Sequence, residues 1–190
     1  MAHSEPVTRS VAVLLAAGGG SRFRGSTHKL LAPLRGRPVV EWAVGHAEEA
    51  GLEVWVVTGC ADLPPFPGVR RIHNPHWAEG QATSLQCAVQ AAADDGLDAI
   101  TVGLGDQPFV PASAWRSVSE SPSPIAVANY GGRRGNPVRL ASSVWPLLPT
   151  EGDLGARSLM IQRPDLVADI VCEGSSADID TMEDLARWNS

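Results

Sequence analysis

Residues 11–34, VAVLLAAGGGSRFRGSTHKLLAPL, restrict the fold more than any other stretch of the chain. Val11–Leu15 is a continuous apolar run rich in branched side chains. A strand without polar alternation is one covered on both faces, as in a parallel sheet flanked by helices. The run ends in Ala16–Gly25, a loop of small residues with four glycines and two arginines. Glycines at the end of a buried strand let the backbone approach an anion and turn its N–H groups toward it, which suits a phosphate. Thr27–Leu34 then carries Lys29 into a second apolar stretch.

Spacing excludes two common phosphate loops. A Walker A loop needs lysine directly after the second glycine of GxxxxG, and Ser26 follows Gly25 here. A dinucleotide fingerprint needs a last glycine where Phe23 stands, and an acid after the second strand, which ends Val57-Thr58-Gly59. What remains is a glycine loop with Arg22 seven residues before Lys29. Two cations so placed can neutralise a triphosphate. Lys29 is the only lysine, against fourteen arginines. Either it is a leftover surface residue, or a compact ammonium is needed where a planar guanidinium will not serve.

With 190 residues, one α/β domain with a full core is expected over residues 11–190, and Met1–Ser10 reads as a frayed tail. A net charge of −6 with scattered arginines argues against sequence-independent nucleic-acid binding. Cys60, Cys87 and Cys172 form no CxxC and indicate neither a disulfide framework nor a zinc site, which fits a reducing cytoplasm. The apolar run after Arg9 is too short for a signal peptide and lacks a cleavage motif, and no membrane-spanning stretch is present.

Helices are expected at Pro38–Ala50, Thr83–Ala93, Pro111–Glu120, Ser142–Leu148, Leu154–Gln162 and Thr181–Trp188. Strands are expected at Glu53–Thr58, Val69–His73, Ala99–Gly103, Ile125–Asn129 and Val167–Val171, with a hairpin over Tyr130–Leu140. Alternating strands and helices predict a three-layer, Rossmann-like, mostly parallel sheet. Ligands then bind beyond the carboxyl ends of the strands. The loops at Gly18 and at Asp106 both follow apolar strands and should open on the same edge.

Several short segments carry candidate chemistry. Asp106, in Gly105-Asp106-Gln107-Pro108, reads either as a turn residue capping the next helix or as a ligand for Mg²⁺. His73 and His76 flank Asn74-Pro75, which forbids a helical metal pair, so they read as loop histidines. Gly80 permits close approach of a flat group, and Ser84 offers a hydroxyl and an N–H at a helix start; a simple cap is the other reading. Arg133-Arg134-Gly135-Asn136-Pro137-Val138 is either a solvated hairpin or a binding segment. Asp153 and Asp180 each precede helical stretches and can cap them, and Asp180 can also serve as a second metal ligand.

LAAGGGSRFRGSTHK, with GDQP, resembles the LAAGxGxRxGxxK and metal motifs of MobA-like NTP transferases, with extra residues before Lys29. Residues 74–85 with GNPV, GDLGAR and DIDTMEDL resemble the molybdenum cofactor cytidylyltransferases, with Asn136 where that branch has histidine. The resemblance implies the sheet of the nucleotide-diphospho-sugar transferase type. It implies nucleotide contacts from Leu15, Ala16, Ala17, Gly18, Gly19, Gly20, Arg22, Lys29, Gly80, Ser84 and Asp106, and Mg²⁺ on Asp106 with Asp180. It also implies Arg22, Lys29 and Asp106 as catalytic groups, and acceptor contacts from Gln107, Arg134, Asn136 and Arg157. The reaction implied is transfer of a nucleoside monophosphate from an NTP to molybdopterin, with a molybdoenzyme receiving the product. Ala17, where guanylyltransferases carry glycine, leans toward CTP. Guanylyl transfer, a sugar or polyol phosphate acceptor, and a non-catalytic cofactor carrier are the alternatives. Neither a membrane nor a nucleic acid is expected as a partner.

Overall fold

The computed structural model describes residues 9–189. Its strands and helices, in chain order, begin with β1 (Ser10–Ala16), β2 (Pro33–Leu34), β3 (Arg37–Pro38), α1 (Val39–Glu49), β4 (Val54–Thr58) and β5 (Arg70–His73). They continue with α2 (Gln81–Asp94), β6 (Ala99–Leu104), α3 (Ala112–Ser119), β7 (Ile125–Tyr130) and β8 (Arg133–Ala141). The chain ends with α4 (Arg157–Gln162), β9 (Val167–Val171) and α5 (Met182–Asn189). Seven strands form one sheet in the order β5-β4-β1-β6-β8-β7-β9. Only β8 runs against its neighbours β6 and β7.

The apolar run that opens the chain becomes the strand between β4 and β6, paired in parallel with both. Its side chains alternate between two cores, since successive residues of a strand point to opposite faces. Val11, Val13 and Leu15 pack with Leu85, Ala88 and Val89 of α2. Ala12, Leu14 and Ala16 pack with Val40, Ala43 and Val44 of α1 and with Trp115 of α3. Both faces are therefore dry, which is why the strand carries no polar alternation. Burial of a side chain such as Leu14, fully enclosed here, contributes about 1.5–3 kcal/mol.

The structure departs from expectation in a few places. The tail assigned to Met1–Ser10 lies mostly outside the described residues, but Ser10 begins β1 and the Arg9 amide donates to Asp98. A small hairpin, β2 with β3, turns at Arg35-Gly36 and was not expected. Ser142–Leu147 is a 3₁₀ helix containing Pro146, whose missing N–H does not permit a regular α-helix. The helix expected from Leu154 starts only at Arg157, and His73 ends β5 as the strand expected over Val69–His73 has it, not as a loop histidine. Among the described residues no helix is long and apolar enough to cross a membrane.

Candidate active site

The two loops singled out in the sequence do meet on one edge. Parallel pairing of β1 with β6 brings Leu15 beside Leu104, so both strands release their loops at the same level. A cleft of about 430 Å³ opens there. Leu15, Ala16, Ala17, Gly18, Gly19, Gly20, Lys29, Gly80, Ser84 and Asp106 all line it. Thus ten of the residues expected to touch nucleotide share one cavity, although they come from four separate segments.

Lys29 opens a short 3₁₀ turn, Lys29–Leu31, and reaches across the mouth of the cleft. Its Nζ lies 2.5 Å from Asp106 Oδ2 and 2.8 Å from Asp180 Oδ1. All three side chains are mostly enclosed, at 13%, 16% and 20% exposed. Burial works against the ammonium, but the two carboxylates outweigh it and hold the Lys29 pKa above the ordinary lysine value. The other oxygen of Asp106, Oδ1, is buried without any hydrogen-bond partner. A buried unpaired carboxylate oxygen is costly and calls for a ligand. With Asp180 alongside, the donor set suits a hard cation that also takes phosphate oxygens and water. Among the described residues no group of three His, Cys, Asp or Glu is placed to hold a metal alone. The residues fit a divalent cation completed by substrate oxygens and water.

Asp180 arrives from far along the chain. After β9 at the sheet edge, residues 172–181 return across the carboxyl ends of the strands. The Ile179 amide donates to the Asp106 carbonyl at 2.9 Å. Gln107 Nε2 donates to the Ser176 carbonyl and to Asp178 Oδ1, and its Oε1 accepts from Asn136 Nδ2. Asn136 in turn holds the Tyr130 hydroxyl through its carbonyl at 2.8 Å. Asp178 is a third carboxylate in this region; burial, with Asp106 and Asp180 nearby, pushes its pKa up. At the start of α5, Thr181 and Asp184 form a capping box, with Asp184 Oδ2 accepting from the amides of Asp180 and Thr181.

Asn74 fixes the opposite wall. It is fully buried, and its Nδ2 donates to the hydroxyls of Thr83 and Ser84 while its Oδ1 accepts from the His76 amide. Gly80 then turns the chain into α2 at φ 114°, and a Cβ there would lie 2.7 Å from the Gly152 carbonyl oxygen. Only glycine fits that approach. Trp77 packs against the glycine loop, and it lines the cleft with Ala78, Gln81 and Asp153.

Several expected roles meet different surroundings. Arg22 is 76% exposed, lies outside the cleft lining and pairs with Asp180 Oδ2 at 2.7 Å. Ser84 is the fourth residue of α2, so its amide is already inside the helical ladder, and its hydroxyl accepts from Asn74. It is not the open cap expected from the sequence. The carbonyls of Ala17 and Gly18 are tied to the Cys60 amide and to His28. Of the acceptor candidates, Gln107 and Asn136 brace each other, and Gln107 is 6% exposed. Arg134 is bound to Asp169 through two hydrogen bonds, which raise its pKa. Arg157 is exposed at the first turn of α4. None of these four lines the cleft. His28, Asn74, Trp77 and Asp178 were missed, because only the tertiary fold shows what they touch.

The MobA-like NTP transferase domain model matches residues 12–166, which span β1 through the turn before β9. The chain belongs to that family. It is thus a nucleotidyltransferase of the MobA-like type. A relative named nicotine blue oxidoreductase, from Paenarthrobacter nicotinovorans, is 34% identical over 92% of this chain and 94% of its own length. A molybdenum cofactor guanylyltransferase from Cereibacter sphaeroides is 34% identical over 75% of this chain and 72% of its own. Among solved structures, a nucleotidyl transferase from Methanothermobacter superposes with a TM-score of 0.80 at 25% identity, covering 94% of this chain and 95% of that one. The matched span includes the glycine loop, Lys29 and Asp106.

Proposed function

We propose that this enzyme transfers CMP from CTP to the terminal phosphate of a molybdopterin-type cofactor and releases pyrophosphate. The observation that carries the reading is Lys29 held between Asp106 and Asp180 at the mouth of the glycine loop. An acceptor phosphate oxygen forms a bond to the α-phosphorus of the nucleotide, and the bond from that phosphorus to the pyrophosphate oxygen breaks. The acceptor is already ionised at neutral pH, so no protein nucleophile or general base is needed. The chain's task is to align two anions and offset their charge.

The loop amides at Gly18–Gly20 hold the β- and γ-phosphates, and Lys29 turns from its carboxylates to the α-phosphate. Asp106 and Asp180 would hold Mg²⁺, which when bound would supply positive charge to offset the phosphates. Ala17, Gly80 and Ser84, which all line the cleft, form its base end in this reading. The product passes to a molybdoenzyme in the cytoplasm.

The guanylyltransferase among the relatives keeps GTP as the second nucleotide to be tested. The likeness to a protein named an oxidoreductase supports a redox reading by name only. The loop here carries Phe23 where a dinucleotide fingerprint has glycine. The deciding experiment measures pyrophosphate release from CTP, GTP, ATP and UTP, each with purified molybdopterin and Mg²⁺. Release with CTP is expected. Release with GTP alone moves the assignment to guanylyl transfer, and release with none removes molybdopterin as acceptor.

A further inference from the structure

His28 sits directly before Lys29 and makes two directional contacts. Its Nδ1 faces the Leu30 amide at 3.3 Å, and its Nε2 faces the Gly18 carbonyl at 3.0 Å. An amide can only donate, so Nδ1 accepts. The proton of the neutral ring therefore lies on Nε2, which donates to Gly18. Burial lowers the ring's pKa, in keeping with this neutral form. The same ring thus caps the 3₁₀ turn that bears Lys29 and grips the loop that faces it.

The direction of the grip matters. Among the described residues the sole cis peptide is Asn136-Pro137, so the Gly18-Gly19 bond is trans. In a planar trans peptide, C=O and N–H point to opposite sides. His28 does not line the cleft, whereas Gly18 and Gly19 do. Drawing the Gly18 carbonyl toward His28 turns the Gly19 N–H the other way.

We propose that His28 is a positioning residue that sets the Gly18-Gly19 peptide so that its N–H faces the polyphosphate of the nucleotide. This rests on the nucleotidyltransferase reading of the cleft. Without the tie the peptide is free to present its carbonyl to the cleft, and a carbonyl oxygen repels a phosphate.

Two substitutions separate the ring's two contacts. His28→Asn keeps an acceptor near the position of Nδ1, suited to a cap, and loses the reach to Gly18. His28→Gln keeps a donor near the position of Nε2. The probe is inorganic tripolyphosphate with Mg²⁺, followed by calorimetry on the full chain, with thermal unfolding and steady-state kinetics alongside. His28→Asn is expected to weaken tripolyphosphate binding and raise the KM for nucleotide by about tenfold, with kcat and Tm little changed. His28→Gln is expected to restore binding to within about twofold of wild type. Wild-type binding by His28→Asn, or equal weakening in both variants, overturns the proposal. If the wild-type protein itself fails to bind tripolyphosphate, the nucleotide reading of the cleft fails first.

Discussion

Lys29 and Asp106, 77 residues apart in the chain, meet at 2.5 Å across the mouth of the cleft. The pair is the junction of the two loops that β1 and β6 release side by side. Asp180 shares the same ammonium and also pairs with Arg22, so two cations offset two carboxylates that would otherwise repel each other at close range.

Replacing Lys29 by alanine is expected to lower kcat by ~10²–10³, with a smaller change in KM for the nucleotide, as for groups that act mainly in the transition state. Steady-state kinetics decide this; an unchanged kcat with only a raised KM would take Lys29 out of the chemical step. The pH dependence has a definite sign. With its pKa raised, Lys29 contributes its full stabilisation below the ordinary lysine value of ~10.4 and loses it only as the pH rises through the higher folded value.

Asp106→Asn retains the shape of the side chain and a carbonyl oxygen but removes the charge that holds a hard cation. Activity should fall to background, and Mg²⁺ titration should show no activation at low millimolar concentration. Wild-type turnover in such a titration would make Asp106 a turn residue only.

The proposed CTP preference is expected to respond to changes at Ala17 and Ser84. Ala17→Gly removes a buried methyl from the cleft wall and should raise GTP use relative to CTP. Ser84→Ala removes the hydroxyl that accepts from Asn74, leaves that donor short of a partner and should mainly weaken CTP. Competition among all four nucleotides reads both effects. A CTP/GTP ratio unmoved by Ala17→Gly dissociates this methyl from base choice.

Asp184 tests how the distal segment is held. Its carboxylate accepts from the Thr181 hydroxyl and from two amides, and these bonds keep its pKa below the ordinary value. A depressed carboxylate contributes stability above the unfolded pKa of ~3.9 and loses it as pH falls through the folded value. Asp184→Ala should cost about 1 kcal/mol at neutral pH, and the gap from wild type should shrink below pH ~4. Denaturant unfolding at several pH values checks this. A gap that stays constant into acid would mean that the helix cap is not what Asp184 provides.

Much of this architecture was legible because the first strand is so explicit. A run apolar on both faces that stops at glycines required a covered parallel sheet and a loop on its carboxyl edge, and β1 with its two cores is that arrangement. Lys29 stood out as the only lysine, and Asp106 as an acid at the end of a buried strand. The less legible residues depend on partners distant in the chain. Asn74 in NPHW reads as a turn residue, yet it is fully buried and fastens α2. Arg134 looked free to meet an anion, but its partner Asp169 comes from β9, 35 residues later. His28 has no motif of its own, and its value lies in a carbonyl ten residues earlier.

The return segment gives the site an order of assembly. Lys29 and the glycine loop are made early in synthesis, whereas Asp180 follows 151 residues after Lys29. A chain folded only through Asp106 has the glycine loop, Lys29 and one carboxylate, but not the second. The stretch after β9 closes the mouth last, by laying Ile179 on the Asp106 carbonyl and Asp178 on Gln107. A chain clipped after β9 is therefore expected to keep the glycine loop, Lys29 and Asp106 while losing the second carboxylate on that ammonium.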